Sequence, residues 1–551
     1  SDDGVSITAV DLPIELFLVK NDVDGQPLSG AVLTVRPHDA LETLVDGSRE
    51  ATITTDAGGR ASLSGLLVAG RTYELEETEA PEGHKRLSGT ILLTANADGT
   101  VTAPDPQAGV SNGSFGVSGD TVTVTDEAVP FSITKYGSDD TGRIDTGLPL
   151  SGAHFTVTGT FAGDDGERTV EVVSGQDGKA GSELAGRLVV GRTYVIRETK
   201  APDGYTLVDG SLEVLVNADG TLSPVGEVPA RYRLSEDGFA IEAADVPIEA
   251  NVAKVSSADG KTPLAGAAFT LTCADGANEA GESNHFANGS STDVYELVTG
   301  EDGTAQIPTA TLVAGNSYEL EETVAPAGYA LVSGPLTLSV AVDGTLELLD
   351  GPAAYELLPD GQVGVRLADE PTRLTVAKAA SDGAPASAMA GASFEVTPEE
   401  GCAFSDGTTE ARLLTIGEDG LAPELVGVLD TDAVYVVREV RAPAGYALLD
   451  GEVRVAVRQD GSVVAVPEDG QLPAGWSLGE KDGRLTLTAT DDPLPEPKPE
   501  TPAEPREPGT SSDGGAAPFT GDATSSAMAC LLLAGGLALV ASGLRRRRRR
   551  G

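Results

Sequence analysis

The sequence has little cysteine and few aromatic residues. Its three cysteines, Cys273, Cys402 and Cys530, lie far apart in the 551-residue chain, so no disulfide framework or paired metal ligands can be read from them. Aromatic residues make up only 4% of the chain, beside 68 glycines and 33 prolines. Since 40% of the residues are apolar, this composition suits several small β cores better than long helices and predicts an all-β protein.

Basic residues are also scarce. Lysine and arginine together number 37 against 86 acidic residues, which gives a formal net charge of −49. Nucleic acids and anionic membrane surfaces are recognised through basic patches, so we exclude nucleic acid as a partner. The length predicts several domains, because one hydrophobic core rarely serves more than about 250 residues.

Motifs for enzymatic turnover are missing. The four histidines stand in unrelated contexts, and the sequence has neither a Gly-x-Ser-x-Gly elbow nor a His-Glu-x-x-His pattern. The acidic turns around Asp24 and Asp140 do not match a calcium loop. We therefore expect no turnover enzyme, no cofactor and no metal site.

A motif recurs four times, with a period near 120 residues. It begins Tyr-x-(Leu/Ile/Val)-x-Glu and continues with Ala-Pro-x-Gly. The four copies start at Tyr73, Tyr194, Tyr318 and Tyr435 and carry their glutamates at Glu77, Glu198, Glu322 and Glu439. Each period also contains short alternating strands and Asp-Gly turns, which is typical of a sandwich-sized β domain.

Each period opens with a strand that ends in lysine and closes with a strand that ends in aspartate. The lysines are Lys20, Lys135, Lys254 and Lys378, and the aspartates are Asp126, Asp245, Asp369 and Asp491. Three of these aspartates stand nine residues before the next lysine, and Asp11 stands nine before Lys20. The first residues therefore read as the last strand of a preceding repeat.

These lysines, glutamates and aspartates are predicted to face the cores. Strand side chains alternate between faces, and each of the twelve shares its face with apolar residues; Lys20, for example, shares it with Leu16 and Leu18. Only ten lysines occur in the whole chain, so the placement of four of them at one inward strand position indicates a functional role. An unpaired buried charge costs several kcal/mol, whereas a covalent bond between amine and carboxyl removes both charges.

This arrangement resembles the Cna B-type (SpaA-like, prealbumin-like) domains of Gram-positive LPXTG-type surface proteins and pilins. The resemblance covers residues 13 to 492 and implies an isopeptide bond in each repeat, with glutamate as the proton shuttle. The implied pairs are Lys20 with Asp126, Lys135 with Asp245, Lys254 with Asp369, and Lys378 with Asp491; the implied shuttles are Glu77, Glu198, Glu322 and Glu439. Asp11 would be the acceptor of the preceding repeat.

The expected fold is four tandem prealbumin-like, Ig-like β-sandwiches in an elongated stalk, then a proline-rich linker and a C-terminal transmembrane helix. The expected segments are 1–12 (the last strand of a truncated repeat), 13–128, 129–246, 247–370 and 371–492 (four domains), 493–516 (a wall-spanning linker) and 517–551 (a sorting signal).

The sorting signal is expected from three features in order. Ala517-Pro518-Phe519-Thr520-Gly521 precedes an apolar run from Ala527 to Leu544 and then six arginines. This order resembles a sortase signal, which implies cleavage after Thr520 and covalent transfer to peptidoglycan; Ala517 departs from the usual leucine. The run is long enough to span a membrane, and the arginines would hold its end in the cytoplasm before sorting.

The sequence thus predicts a secreted surface stalk or adhesin that sortase attaches to the cell wall, with a host matrix protein or glycan as an unidentified ligand. Two alternatives stay open. One is a backbone or accessory subunit of a sortase-assembled pilus, although the Val-Tyr-Pro-Lys motif of pilins does not occur. The other is the spacer of a surface enzyme whose catalytic domain lies upstream.

Overall fold

The computed structural model describes residues 13–103, 109–138, 143–207, 209–278, 280–359, 363–466, 471–481 and 483–495. Two units are separated by their internal contacts, Ser1–Leu494 and Pro495–Gly551. Nearly all described residues belong to the first unit, and their regular structure is β-strands with two short 3-10 turns, Ser182–Leu184 and Ala386–Met389. The all-β prediction is confirmed.

The first two sandwiches contain strands β1 to β19. In the first they are β1 Phe17–Asp22, β2 Val32–Pro37, β3 Ala51–Thr54, β4 Arg60–Ser62, β5 Thr72–Glu79, β6 Ile91–Ala95, β7 Val101–Thr102, β8 Gly113–Ser118 and β9 Thr121–Asp126. In the second they are β10 Ser132–Ser138, β11 Ile144–Pro149, β12 His154–Gly159, β13 Arg168–Val173, β14 Lys179–Ala180, β15 Thr193–Lys200, β16 Ser211–Val216, β17 Leu222–Pro224, β18 Tyr232–Leu234 and β19 Ala240–Asp245.

The third and fourth sandwiches contain strands β20 to β37. In the third they are β20 Ala250–Ser256, β21 Ala268–Cys273, β22 Tyr295–Val298, β23 Thr304–Ile307, β24 Ser317–Val324, β25 Leu336–Val340, β26 Leu346–Asp350, β27 Tyr355–Leu357 and β28 Gly364–Asp369. In the fourth they are β29 Arg373–Ala380, β30 Ser393–Pro398, β31 Arg412–Thr415, β32 Leu425–Val426, β33 Ala433–Arg441, β34 Glu452–Val457, β35 Val463–Ala465, β36 Trp476–Lys481 and β37 Arg484–Asp491.

Each sandwich packs two sheets around its own core. In the first, the sheet β4-β1-β9-β8 faces the sheet β3-β2-β5-β6-β7, and the other three repeat this order, with one extra strand, β11, in the second. The first and last strands of every sandwich are parallel neighbours, whereas the other pairs are antiparallel. Four separate clusters of buried apolar side chains fill the four sandwiches.

Alternation along the strands builds these cores. In β5, Tyr73, Leu75 and Glu77 are buried while their neighbours are partly exposed, as period-two patterning requires. The four motif tyrosines are completely buried, and each hydroxyl accepts a hydrogen bond from a backbone N–H five residues earlier. The motif tyrosine therefore fixes the start of the strand that carries the glutamate.

Candidate functional site

Strand register places each lysine beside its aspartate. In the first sandwich, Lys20 lies opposite Val124, two residues before Asp126 on the neighbouring parallel strand. Residues two apart on a strand share a face, so both side chains point into the core. The other three sandwiches have the same offset, with Lys135 opposite Ala243, Lys254 opposite Leu367 and Lys378 opposite Ala489.

The glutamate approaches from the other sheet. Glu77 lies in β5 and pairs with Leu33 of β2, next to a shift of register between Val32 and Leu33. The same irregularity occurs in every sandwich, where Phe155, Phe269 and Phe394 pair with Glu198, Glu322 and Glu439. The three ionisable residues of a repeat thus come from three strands and two sheets.

In every sandwich the lysine Nζ contacts both carboxyls. Lys20 Nζ lies 2.7 Å from Glu77 Oε1 and 2.6 Å from Asp126 Oδ1. Lys135 Nζ lies 2.7 Å from Glu198 Oε1 and 2.5 Å from Asp245 Oδ1. Lys254 Nζ lies 2.9 Å from Glu322 Oε1 and Lys378 Nζ 2.6 Å from Glu439 Oε1, and these amines also contact Asp369 and Asp491 respectively.

All twelve side chains are inaccessible to solvent, each with a relative exposure of 0%. An ion pair buried this deeply costs several kcal/mol of desolvation per ion, and apolar residues of similar volume are often at least as stable. Stability alone therefore does not explain why four cores of this chain each contain such a cluster.

A backbone N–H holds the second oxygen of the glutamate. Ten residues beyond the glutamate, Leu87 N donates to Glu77 Oε2 over 2.5 Å. Val332 N and Leu449 N do the same for Glu322 and Glu439, over 3.0 Å and 2.9 Å. This bond leaves Oε1 directed at the lysine, so the carboxyl is oriented before any reaction takes place.

Burial favours the protonated form of the aspartates. Burial is the largest influence on each, and although the neighbouring lysine opposes it, the pKa of Asp126 and Asp369 rises to about 7 and that of Asp245 to about 8. The pKa of Asp491 is also raised, mainly by burial, as are those of Glu322 and Glu439. Such a core can hold a carboxylic acid, not only a carboxylate, near neutral pH.

Sequence reasoning missed the aromatic residues around the lysine. In the last three sandwiches its Nζ lies over the ring of Phe155, Phe269 or Phe394, at 5.5, 6.0 and 5.4 Å from the ring centre. The first sandwich has Leu33 at this place. A signal was available, because Gly-Ala-x-Phe follows three of the four lysines and Gly-Ala-x-Leu follows the other.

A second missed feature fixes the lysine backbone. Lys20 N donates to Gly59 O over 2.7 Å, and its carbonyl accepts from Leu28 N over 2.9 Å. The loop that contains Leu28 is held by Thr55, whose buried hydroxyl donates to Leu28 O and accepts from Ala31 N. Ser174 and Thr299 have this role in the second and third sandwiches.

Two departures from the repeated motif leave the clusters intact. His84 stands where the other repeats have tyrosine, yet it bridges to Ala128 as Tyr205 does to Pro247. Val440 replaces a threonine, and the shift of register beside Glu439 persists without its hydroxyl.

Other predicted features lie outside the described residues: Asp11, the motif Ala517 to Gly521, and the apolar run from Ala527 to Leu544. Among the residues that the structure describes, no helix is long and apolar enough to cross a membrane. Nor does that part of the chain contain a group of three or more His, Cys, Asp or Glu side chains placed to hold a metal ion.

The fold and these clusters define a class of protein: tandem β-sandwiches that each bury a lysine between two carboxyls. The SpaA prealbumin-like fold domain matches residues 15–106, 122–227 and 249–351, more than half of the sequence. The chain belongs to the family of proteins built from SpaA prealbumin-like fold domains. Residues 371–492 lie outside the matched segments, although the fourth sandwich repeats the sheet order and the cluster.

Several solved structures are similar to this chain. The Bacillus anthracis TIE protein is 17% identical, with a TM-score of 0.29, over 83% of this chain and 74% of its own. The pilus adhesin SpaC from Lactobacillus rhamnosus GG, in its open conformation, is 14% identical with a TM-score of 0.33, and the match covers 86% of this chain but 57% of the adhesin. A streptococcal ancillary pilin is 14% identical, with a TM-score of 0.23, over 66% of this chain and 99% of its own. No curated protein sequence matches.

Proposed function

We propose that this protein is a structural stalk of a bacterial surface, attached to the cell wall, whose sandwiches are each closed by a Lys–Asp isopeptide bond. The observation that carries the proposal is the fourfold recurrence of a solvent-free Lys–Glu–Asp cluster with the amine in contact with both carboxyls. Each cluster would react once within its own chain, which is a single intramolecular reaction and not enzymatic turnover. Membership of the SpaA family is in keeping with a structural role.

Burial favours the protonation states that can react, the neutral amine and the carboxylic acid. In an apolar core the neutral pair, amine and carboxylic acid, is favoured over the ion pair because both charges lose their hydration. The raised pKa of Asp126, Asp245 and Asp369 keeps much of each aspartate protonated near neutral pH. The lysine Nζ, already in contact with the carboxyl, can then attack Cγ of the aspartate as a neutral nucleophile.

Glutamate moves the protons. When Nζ bonds to Cγ, the Glu carboxyl accepts a proton from the nitrogen through Oε1 and returns one to the departing hydroxyl. In each cluster the amine contacts Oδ1 of the aspartate, so we assign the other oxygen, Oδ2, as the one that leaves as water. Amine and acid become an amide and one water, and the glutamate ends as it began.

The isopeptide bond would transmit a pulling force directly between the first and last strands of a sandwich. It joins the first and last strands of a sandwich, which are parallel neighbours. Pulling on the two ends of a sandwich then loads the short segments outside the bond, while the hundred or so residues between lysine and aspartate carry none of the tension. A surface stalk that must resist shear and proteases gains directly from such a link.

Peptide mapping tests the bonds one by one. The protein is digested after denaturation, and each lysine-bearing peptide is expected to appear joined to the aspartate-bearing peptide of its own sandwich, with one water lost. In Lys135→Ala the link to Asp245 should disappear and the other three persist. Lys179→Ala, at an exposed lysine in β14 of the same sandwich, is the matched control and should leave all four links. Four unlinked peptide pairs in the unmodified protein would refute the proposal.

Attachment to the wall is the second part of the proposal, and it rests on the order of motif, apolar run and arginines at residues 517–550. We propose that sortase cleaves after Thr520, joins that residue to peptidoglycan and so releases the protein from the membrane that holds it. In the native cell, Thr520→Ala should move the protein from the wall fraction to the membrane fraction. An unchanged wall fraction would refute sorting at this site.

A pilus subunit is the alternative that the family match favours equally. It differs in one measurable respect, because subunits of a pilus are joined to one another. Wall extracts would then show a regular ladder of covalent multimers on a denaturing gel, whereas a single stalk gives one species. A spacer of a surface enzyme would be recognised from a catalytic domain in the same polypeptide.

A further inference from the structure

The loop that contains Ala-Pro-x-Gly is hydrogen-bonded to the chain just after the last strand of its own sandwich. Val129 N donates to Gly83 O over 2.9 Å, and the same bond recurs at the end of each of the other three sandwiches. The equivalent pairs are Ile248 with Gly204, Thr372 with Gly328, and Leu494 with Gly445. We call this segment, residues 80–87 in the first sandwich, the junction loop.

The following sandwich docks onto the junction loop in the same way three times. Arg86 N donates to Ala218 O, in a turn of the second sandwich, over 2.9 Å. Leu207 N donates to Val342 O over 3.3 Å, and Leu331 N to Gln459 O over 2.7 Å. The corresponding residue of the fourth sandwich is Leu448, and the described residues include no further sandwich that could accept its N–H.

The docked N–H and the N–H that holds the glutamate belong to consecutive residues. In the first sandwich, Arg86 N reaches the second sandwich and Leu87 N holds Glu77. In the third, Leu331 N reaches the fourth sandwich and Val332 N holds Glu322. Fixing one peptide group restricts the next, so docking and orientation of the glutamate are mechanically linked.

We propose that each following sandwich acts as a positioning element for bond formation in the sandwich before it. Docking of the second sandwich holds the junction loop of the first, and the loop holds Glu77 against Lys20. The bonds of the first and third sandwiches then form faster when the following sandwich is docked, whereas the Lys378–Asp491 bond forms without a docked neighbour. This inference rests on the isopeptide bonds proposed above.

The glycine of the junction loop provides a matched pair of variants. Gly83 and Gly445 both have positive φ, 83° and 87°, so alanine strains the backbone equally at both. At Gly83, an added Cβ would overlap the carbonyl oxygen of Gly186 in the second sandwich, and at Gly328 that of Gly427 in the fourth. At Gly445 it meets nothing within 4 Å among the described residues. Gly445→Ala therefore strains the backbone as Gly83→Ala does but displaces no neighbouring sandwich.

The experiment follows the bonds as they form. The full chain is made by cell-free synthesis, samples are quenched in acidic denaturant over time, and the linked peptides are quantified. We expect Gly83→Ala to slow the Lys20–Asp126 link about threefold to tenfold, the factor that corresponds to losing roughly one positioning hydrogen bond. Gly328→Ala should slow the Lys254–Asp369 link by a similar factor. In each variant the undisturbed sandwiches serve as internal controls for folding.

Gly445→Ala should leave the Lys378–Asp491 link at its original rate. The inference is overturned if Gly83→Ala and Gly445→Ala slow their own links equally, because backbone strain alone then accounts for the effect. It is also overturned if neither slows its link. If the unmodified chain forms no links, the isopeptide proposal itself fails, and this result is visible before any variant is compared.

Discussion

The second and fourth sandwiches reach the same Lys–Glu–Asp geometry with different surroundings. In the second, the Ser174 hydroxyl accepts from Ala153 N and donates to Leu150 O, which secures the loop after the lysine strand. In the fourth, Ile416 takes the place of Ser174, and a short turn, Ala386–Met389, replaces the loop. The lysine still contacts both carboxyls with no solvent exposure. The contact between lysine and aspartate therefore depends on strand register and not on the loop that follows the lysine strand.

The bonds that the two sandwiches share support this conclusion. Ser174 and Ile416 both donate their N–H to the loop alanine, Ala153 or Ala392, over 2.9 Å, and both lysine strands keep the two-residue offset from the aspartate. Strand pairing is set along the whole strand, so it tolerates the loss of a single side-chain hydrogen bond. Side-chain hydrogen bonds that only some of the sandwiches have can therefore vary between repeats with a small loss of stability.

The largest expected effect comes from removing the proton shuttle in either sandwich. Glu198→Gln and Glu439→Gln should each abolish one bond and lower the free energy of unfolding of that sandwich by about 4.7 kcal/mol, the cross-link entropy of a loop of about 100 residues. The linked residues are 110 and 113 positions apart, so the two losses should be equal. Intact mass and urea unfolding measure both effects.

A much smaller loss of unfolding free energy for Glu439→Gln than for Glu198→Gln would contradict this expectation, because it would mean that the fourth sandwich is not linked. The control is Glu171→Gln, which changes an exposed glutamate of the second sandwich that pairs with His154. It should leave the mass deficit and the unfolding transition unchanged.

A pH dependence should appear when the lysine is removed and the aspartate stays. In Lys135→Met, Asp245 remains a free acid, and its pKa is raised by burial to about 8 even with the lysine present, against an ordinary value of 3.8. Between about pH 4 and pH 8 the folded chain then binds more protons than the unfolded chain, so the free energy of unfolding falls as pH rises.

The unmodified protein should lack this dependence, because an amide does not titrate. Lys378→Met should show the same sign, since the pKa of Asp491 is also raised mainly by burial. Urea unfolding at several pH values measures the slope. A stability that rises with pH in either variant would show that the aspartate ionises readily in the folded state, against the proposed mechanism.

A moderate effect is expected from the buried hydroxyls that the fourth sandwich lacks. Thr299→Val keeps the shape of the side chain but removes its bonds to Ala267 N and Leu264 O. Leaving these buried backbone groups without partners should cost about 2 kcal/mol. Ile416→Val, the comparison in the fourth sandwich, should cost only about 1 kcal/mol for one lost methylene. Equal losses would contradict a structural role for the hydroxyl.

The smallest effect is expected at the threonine of the repeated motif. Thr199 donates to His154 O over 3.3 Å beside the shift of register, whereas Val440 occupies this place in the fourth sandwich. Thr199→Val should cost about 0.5 kcal/mol and leave the Lys135–Asp245 link in place. Thermal unfolding and peptide mapping test this together, and loss of the link would show that the hydroxyl fixes the register.

Much of the fold could be predicted from the sequence because it repeats. Four copies of one motif gave the number of sandwiches, and period-two alternation assigned Lys20, Glu77 and Asp126 to inward faces before any contact was known. The structure brings each predicted trio together. The bonds themselves, the segment boundaries and the wall attachment stay predictions.

What the sequence could not reveal depends on contacts between distant strands. The pairing of Phe155 with Glu198 requires a shift of register that alternation does not encode. The hydrogen bond from Arg86 to Ala218 joins two sandwiches, and nothing in either segment alone predicts it. Such features follow from packing, which a single strand pattern does not specify.

The most direct test of the isopeptide bonds is the intact mass of the recombinant full chain, which has not met sortase, measured under denaturing conditions. We expect a mass four waters below that calculated from the sequence. Each single variant, Lys20→Ala, Lys135→Ala, Lys254→Ala or Lys378→Ala, should have a mass three waters below that calculated from its own sequence. A mass equal to that calculated from the sequence would refute the four isopeptide bonds and leave four sandwiches with buried but unlinked charges.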